Sequence, residues 1–294
     1  MSATESINFS SLLPQNLDTV ILGWLQDDMP SFDVGGLVVG TEHKQAQLLM
    51  KSSGVFAGKA FVQKVFDLLG CTVEWHDDVA REGEKKDLSA KICIATVTGP
   101  VNQILRGERT ALNTLSRCSG VATLSREGSE RAKSLGWNGW VAGTRKTTPG
   151  FRVVEKYGLL VGGAATHRLD LSQMVMLKDN HIWSCGSITN AVKLARKAAG
   201  FSQKIEVECQ SLEEAIEAAE AGADIVMLDN FEPDRLKKDA AVFKSKFPHV
   251  LVEASGGITT ETMPDYLCPD VDIVSQGKLT QGYPSIDFSL KIVH

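Results

Sequence analysis

Disulfide and zinc frameworks are both missing from this sequence. Its six cysteines (Cys71, Cys93, Cys118, Cys185, Cys209 and Cys268) form no C-x-x-C pair and no Cys/His spacing of the zinc type, so they read as free thiols. No uninterrupted apolar run approaches the ~18 residues that a bilayer span needs. The opening stretch, MSATESINFSSLLPQNL, lacks a basic segment followed by an apolar one, the signature of a secretory signal. Basic residues are outnumbered by acidic ones, 31 to 36, giving a formal net charge of -5. The molecule as a whole therefore has no electrostatic reason to coat nucleic acid or a membrane. Neither a G-x-G-x-x-G nor a Walker loop follows any apolar run, which removes the commonest nucleotide-binding signatures. These absences predict a cytoplasmic protein, with the nucleus as a second location, that engages neither nucleic acid nor membrane. Any anion binding has to be local.

What is present falls into two textures. In the first part, QAQLLMKSSGVFAG, CTVEWHD and AKICIATVTG are rich in β-formers, and AFVQKVFDLLG has apolar residues at helical spacing, which reads as a small α+β unit. A helical stretch follows, from about Gly107 to Gly136, with an internal Gly120 expected to break it in two. After it, short apolar strands (GWVAG, QMVML, KIEVE, DIVML, VLVEA, DIVSQ) alternate with helices, the pattern of parallel βαβ units. Ser211 with Glu214 forms a capping box, and Pro233 suits the first turn of another helix. Alternation alone leaves an open doubly wound sheet and a barrel in play. A barrel somewhat short of eight strands is favoured, because polar or charged residues sit where each apolar run stops, and a barrel's C-terminal face holds the site.

Those strand ends (GTRKT, MLKDN, EVEC, MLDN, EASGG, SQGK) bring Arg145, Lys146, Lys178, Glu208, Asp229, Ser255, Gly256, Gly257 and Gly277 to one mouth. Each charge taken alone reads equally well as a solvated rim residue or an ion-pair partner. The glycines of SGG and QGK let backbone N-H groups enclose an oxyanion such as phosphate, or simply form tight turns. Glu208 and Asp229, on neighbouring strands, suit Mg2+, sugar hydroxyls or a developing positive charge, or else neutralise Lys146 and Lys178. His167 reads first as a hydrogen-bonded structural residue. Arg168, in the same loop, is the better anion ligand, because a guanidinium binds carboxylate or phosphate through two parallel hydrogen bonds. Arg145, Lys146, Arg168 and Lys178 together call for a polyanionic substrate.

The stretches TRKTTPGFRVVEKYGLLVGGAATHR, MVMLKDNH, EVECQSLEEA, GADIVMLDNF and VEASGGIT resemble, in order and spacing, quinolinate phosphoribosyltransferase, from roughly Phe32 to Leu290. The resemblance implies an α/β protein of two parts: an N-terminal open α/β sandwich at 1-116, rejoined by about 280-294, and an incomplete, seven-stranded α/β barrel at 117-279. It implies that quinolinate and phosphoribosyl pyrophosphate give nicotinate mononucleotide, pyrophosphate and CO2 with Mg2+, in de novo NAD biosynthesis. By the same resemblance, Arg145, His167 and Arg168 bind quinolinate, with Arg109 supplied by the neighbouring subunit of a homodimer, and three such dimers form a hexamer. Lys146 and Lys178 meet substrate carboxylate and pyrophosphate. Glu208 and Asp229 hold the ribose and its metal, directly or through water, and Ser255, Gly256, Gly257 and Gly277 cradle the 5'-phosphate. Thr147 completes the R-K-T turn. Lys146, Glu208 and Asp229 are the expected catalytic set. Gln276 departs from the small or apolar residue expected there.

Two alternatives stay open. One is a related phosphoribosyltransferase acting on nicotinate or another ring, although four cationic side chains plus Arg109 exceed what one carboxylate and the donor need. The other is a non-catalytic anion-binding protein of the same fold, which would be marked by a missing strand-end carboxylate or lysine; none is missing.

Overall fold

A computed structural model describes residues 7-293. In chain order its elements are α1 (Leu17–Asp28), α2 (Val34–Val39), β1 (His43–Met50), β2 (Gly54–Val55), α3 (Lys59–Leu68), β3 (Thr72–Trp75), β4 (Lys85–Lys86), β5 (Ile92–Pro100) and α4 (Val101–Ser134). There follow β6 (Trp140–Ala142), α5 (Arg152–Gly162), β7 (Val175–Leu177), α6 (Asp179–Cys185), α7 (Ile188–Ala199), β8 (Ile205–Cys209) and α8 (Leu212–Ala221). The last are β9 (Ile225–Asp229), α9 (Pro233–Lys246), β10 (Leu251–Ser255), β11 (Ile273–Ser275), α10 (Lys278–Gln281) and β12 (Phe288–Ile292). Contacts divide the chain into two units. One runs through Leu124 and takes in Thr148–Gly163 and the segment from Tyr283 on; the other holds Ser125–Thr147 and Ala164–Gly282. The division falls at Leu124 rather than at 116, and α5, assigned to the barrel by the sequence, clusters with the first unit.

In the first unit, antiparallel strands run in the order β12-β1-β5-β3, so the end of the chain closes the sheet begun near the start. The apolar spacing of AFVQKVFDL puts Phe61, Val62, Val65 and Phe66 on the buried side of α3. There they join a core with Phe56, Met50, Leu48 and Ile94. The expected break at Gly120 does not occur: α4 is a single helix of 34 residues. A Cβ on Gly120 would lie 2.0 Å from the Pro284 carbonyl oxygen, so glycine serves close approach of the returning C-terminal segment.

The second unit is a parallel sheet in the order β6-β11-β10-β9-β8-β7. All six apolar runs named from the sequence form its strands. Buried on both faces, they read as near-continuous apolar runs because helices follow them in the chain and cover the sheet. A seventh position exists as a single parallel bridge, Ala142 to Ala165, closed by Gly143 N-H to the Ala165 oxygen (2.9 Å) and Ala165 N-H to the Val141 oxygen (2.8 Å). Residues 166-174 therefore link the two outer edges of the sheet, Ala165 and β7. Ser211 Oγ accepts the Glu214 amide at the start of α8, and Pro233 opens α9.

Candidate active site

In a parallel sheet every strand points its C-terminal end the same way, so residues at or just past each strand end share one face. That face carries a cleft of about 610 Å³. It is lined by Arg145, Lys146, His167, Arg168, Lys178, Glu208, Asp229, Ser255, Gly256, Gly257 and Gly277, all named from the sequence. Two candidates are not in that lining. Thr147 directs its amide (2.9 Å) and hydroxyl (3.4 Å) to the Arg145 carbonyl, which shapes the turn. Arg109 is exposed on α4, in the first unit.

The cleft is dominated by cations. Arg145, Lys146, Arg168, Lys178 and Lys278 line it against the two carboxylates Glu208 and Asp229. Burial and the charge of Arg145 both pull the Arg168 guanidinium below its usual range, with Glu206 acting in the opposite sense. Two guanidinium groups side by side, both permanently charged, form a receptor for anionic groups. Lys146 is held at the mouth through its backbone: the Thr280 hydroxyl donates to its carbonyl (2.8 Å), and its amide donates to Thr144 Oγ1 (3.1 Å).

Glu208 and Asp229 end adjacent strands, with Glu208 opposite Met227 in the register. Lys178 Nζ donates to Glu208, so part of the charge-balancing reading holds for that residue. Burial and the Glu208 charge push the Asp229 carboxyl up, while Lys178 and Lys146 pull it down.

Directly beside Asp229, past the ends of β9 and β10, the backbone turns sharply. Gly256 has φ +104° and Gly257 φ +63°, with Asn230 at φ +58° beside them. The Asn230 amide donates to the Ser255 carbonyl at 2.9 Å. A Cβ on Gly256 would stand 2.3 Å from Asn230 Oδ1 and 2.6 Å from its backbone nitrogen, so side chain and backbone geometry both require glycine there. Gly277 precedes α10, with the Lys146 side chain 3.2 Å from where its Cβ would be.

His167, with φ +56°, sits between the mouth and two carboxylates that the sequence reading overlooked. Its Nε2 donates to Glu253 Oε2 (3.1 Å) and lies 3.6 Å from Glu206 Oε2; the Arg168 amide donates to Nδ1 (2.8 Å). Burial, the largest influence, disfavours the imidazolium, but hydrogen bonding to and the charges of Glu206 and Glu253 outweigh it and raise the ring to about 9. The amide contact at Nδ1 belongs to the neutral ring, and protonation competes with it. Burial and the Glu253 charge push the Glu206 carboxyl well above the usual range.

Lys278 and Gln281 also line the cleft and were not singled out from the sequence. The signal was available, since they follow Gly277 by one residue and by one helical turn. Gln276, the residue that departs from expectation, is fully buried. Its Nε2 lies 3.2 Å from Met263 Sδ and its Oε1 accepts from Thr260 (3.4 Å). It is a satisfied interior amide, and its backbone N-H bonds the Ala142 carbonyl (2.8 Å).

Comparison with known proteins matches residues 33–119 to the N-terminal domain of quinolinate phosphoribosyl transferase and residues 121–291 to its C-terminal domain. The chain is 51% identical over 300 residues to the nicotinate-nucleotide pyrophosphorylase [carboxylating] of Dictyostelium discoideum, covering 97% of this chain and 99% of that one. It is 52% identical over 281 residues to the Homo sapiens protein of the same name, covering 96% and 93%. Among solved structures, NadC from Streptococcus pyogenes superposes with a TM-score of 0.83 at 33% identity, over 99% of this chain and 100% of that one. The long runs of motif and the full-length match lead to one conclusion: this chain belongs to the quinolinate phosphoribosyl transferase family.

Proposed function

We propose that the enzyme joins quinolinate to phosphoribosyl pyrophosphate, giving nicotinate mononucleotide, pyrophosphate and CO2, a step of NAD biosynthesis. The observation that carries this reading is the pairing of Arg145 with Arg168 in a mouth that also holds Lys146, Lys178 and the Ser255-Gly256-Gly257 turn. Two ring carboxylates, a pyrophosphate and a 5'-phosphate match those groups in number and sign. Arg145, His167 and Arg168 bind the ring; Lys146 and Lys178 face carboxylate and pyrophosphate; Ser255, Gly256, Gly257 and Gly277, with Lys278, enclose the 5'-phosphate.

As the ribose C1-oxygen bond breaks, its electron pair leaves with pyrophosphate and C1 gains cationic character. The pyridine nitrogen lone pair forms the new bond to C1. The quaternised ring then releases its C2 carboxylate as CO2, and C2 takes up a proton. Glu208 and Asp229 face the cationic ribose, so the chain's contribution is positioning and electrostatics.

Mg2+ fits the same two residues: they offer carboxylate oxygens, the hard donors that the ion takes, and the Glu208 charge acts on Asp229. Bound there, directly or through water, the ion would offset the charge of pyrophosphate. Homodimers with Arg109 reaching the partner's cleft, assembled in threes, extend the reading. It is supported by the exposure of Arg109 and of an apolar surface on and beside α2, where Phe32, Leu37 and Val38 are 96%, 82% and 81% exposed. Among the described residues no helix is long and apolar enough to cross a membrane. We place the enzyme in the cytoplasm; nothing supports a nuclear location.

Incubation with phosphoribosyl pyrophosphate, Mg2+ and either quinolinate or nicotinate tests the assignment, with nicotinate mononucleotide as the readout. Product is expected from quinolinate, and product from nicotinate alone would overturn the reading. The phosphate cradle has its own test. Gly256→Ala forces the turn off Asn230, a strain of about 1-3 kcal/mol, so KM for phosphoribosyl pyrophosphate should rise about 5- to 150-fold. Gly257→Ala, where an added Cβ meets nothing within 4 Å, should be milder. Equal KM values for wild type and Gly256→Ala would remove the cradle from the site.

A further inference from the structure

Glu206 and Glu253 have no solvent exposure, yet neither belongs to the expected site. Each stands two residues before a mouth residue on its own strand, Glu208 on β8 and Ser255 on β10, so each shares that residue's face one layer deeper. That layer of a barrel is ordinarily filled by branched apolar side chains. Two carboxylates there are costly, and the cost is only partly relieved: among the described residues Glu206 Oε1 and Glu253 Oε1 have no hydrogen-bond partner, and Glu206 Oε2 meets only the His167 ring, at 3.6 Å. The fourth oxygen, Glu253 Oε2, accepts the proton on His167 Nε2. His167 in turn has a left-handed backbone that a non-glycine residue adopts only when its surroundings impose it, and its Nδ1 is tied to the Arg168 amide.

We propose that Glu253, with Glu206 beside it, is a positioning residue: it holds the His167 ring and, through that ring, the main chain that presents Arg168 to the substrate. The proposal rests on the reading of His167 and Arg168 as the ring-binding pair. The Nε2 proton is present in both the neutral and the charged ring, so Glu253 holds the ring in either form, whereas the further tie from Nδ1 to the Arg168 amide belongs to the neutral ring. Conformational strain at His167 and the unpaired buried oxygens are then two sides of one device, in which stability is given up to fix a loop that links the open edges of the sheet.

The experiment uses Glu253→Leu, Glu253→Gln and His167→Ala. Glu253→Leu fills the layer with an apolar side chain but removes the acceptor; Glu253→Gln retains one. Glu253→Leu should raise KM for quinolinate about tenfold or more, with KM for phosphoribosyl pyrophosphate changed less than about twofold, and Glu253→Gln should recover most of the loss. The double variant Glu253→Leu/His167→Ala should be no worse than His167→Ala alone, because the glutamate acts through the ring. Equal rises in both KM values, full additivity in the double variant, or no effect of Glu253→Leu would each overturn the proposal. If Glu253→Leu does not fold, Glu253→Met, which also lacks the acceptor, takes its place in the same cycle.

A substrate-free readout separates this proposal from the functional one. Ring nitrogen NMR signals of His167 should shift on Glu253→Leu, and an unchanged ring would overturn the hold whatever the enzyme binds. Failure of the wild-type protein to bind quinolinate would instead sink the functional reading. The three donors also lie within 4.8 Å of one another, a spacing a cation could use, so a stoichiometric transition metal in the purified protein would replace the proton-mediated hold and overturn it.

Discussion

Arg168→Lys should weaken quinolinate binding about 30- to 150-fold while leaving the fold intact, the equivalent of about 2 to 3 kcal/mol for one charge-assisted, bidentate contact. Charge alone is not what the substitution removes, since lysine keeps it. What is lost is a planar fork whose two parallel N-H groups match a carboxylate, replaced by a point charge on a flexible stem. Arg168 already stands beside Arg145 in a partly desolvated setting, so the free enzyme carries like-charge repulsion that the dianionic ring relieves. Calorimetric titration with quinolinate, without the second substrate, is the measurement. Near-wild-type affinity in the lysine variant would show that Arg168 contributes only charge, and the ring-binding assignment would fail.

How much of this was legible in the sequence depended on whether a feature is local. The six barrel strands could be read because parallel strands buried on both faces must be short apolar runs, and KIEVE, DIVML and VLVEA have no other reasonable reading. The seventh position could not: Ala165 makes a single bridge in GGAATHR, a stretch with one β-former, Thr166, before the histidine, and closure there comes from two backbone hydrogen bonds. Gly120 misled for a related reason. A glycine inside a helical pattern reads as a break, whereas here it answers to Pro284, more than a hundred residues away. The membership of α5 in the first unit is likewise a matter of long-range contact.

The site shows the same divide. Strand ends can be recognised by the stop of an apolar run, so the mouth residues on strands β6 to β11 were found one by one. Glu206 and Glu253 lie one layer inside those ends, where the stop of an apolar run gives no signal. The period-two rule would have found them: in EVE and EAS the first glutamate shares a face with the residue two positions on, and a carboxylate one layer inside a barrel needs a reason to be there. Their contact with His167, from a loop 39 and 86 residues away in sequence, is visible only in three dimensions.

The largest effect on turnover should come from Glu208→Gln, which keeps the shape of the side chain and removes its charge. If Glu208 serves mainly to balance Lys178, the substitution breaks an ion pair whose lysine side chain is 44% exposed, and stability is what should change. Pairs of that exposure contribute at most about 1 kcal/mol, or about 2-4 °C in Tm for a domain of this size. If instead Glu208 faces the cationic ribose, its charge matters most where positive charge develops, and kcat should fall about 100-fold or more with little change in KM for quinolinate. We expect the second pattern. Glu208 is held on β8 beside Asp229 at the strand-end face, where both carboxylates line the cleft. Asp229→Asn should behave in the same way, and the double variant should fall short of the product of the two, since both carboxylates stabilise one charge. Steady-state kinetics and thermal melting on the three variants decide the matter: a lowered Tm with kcat preserved would return Glu208 to charge balance and leave Asp229 alone on the ribose.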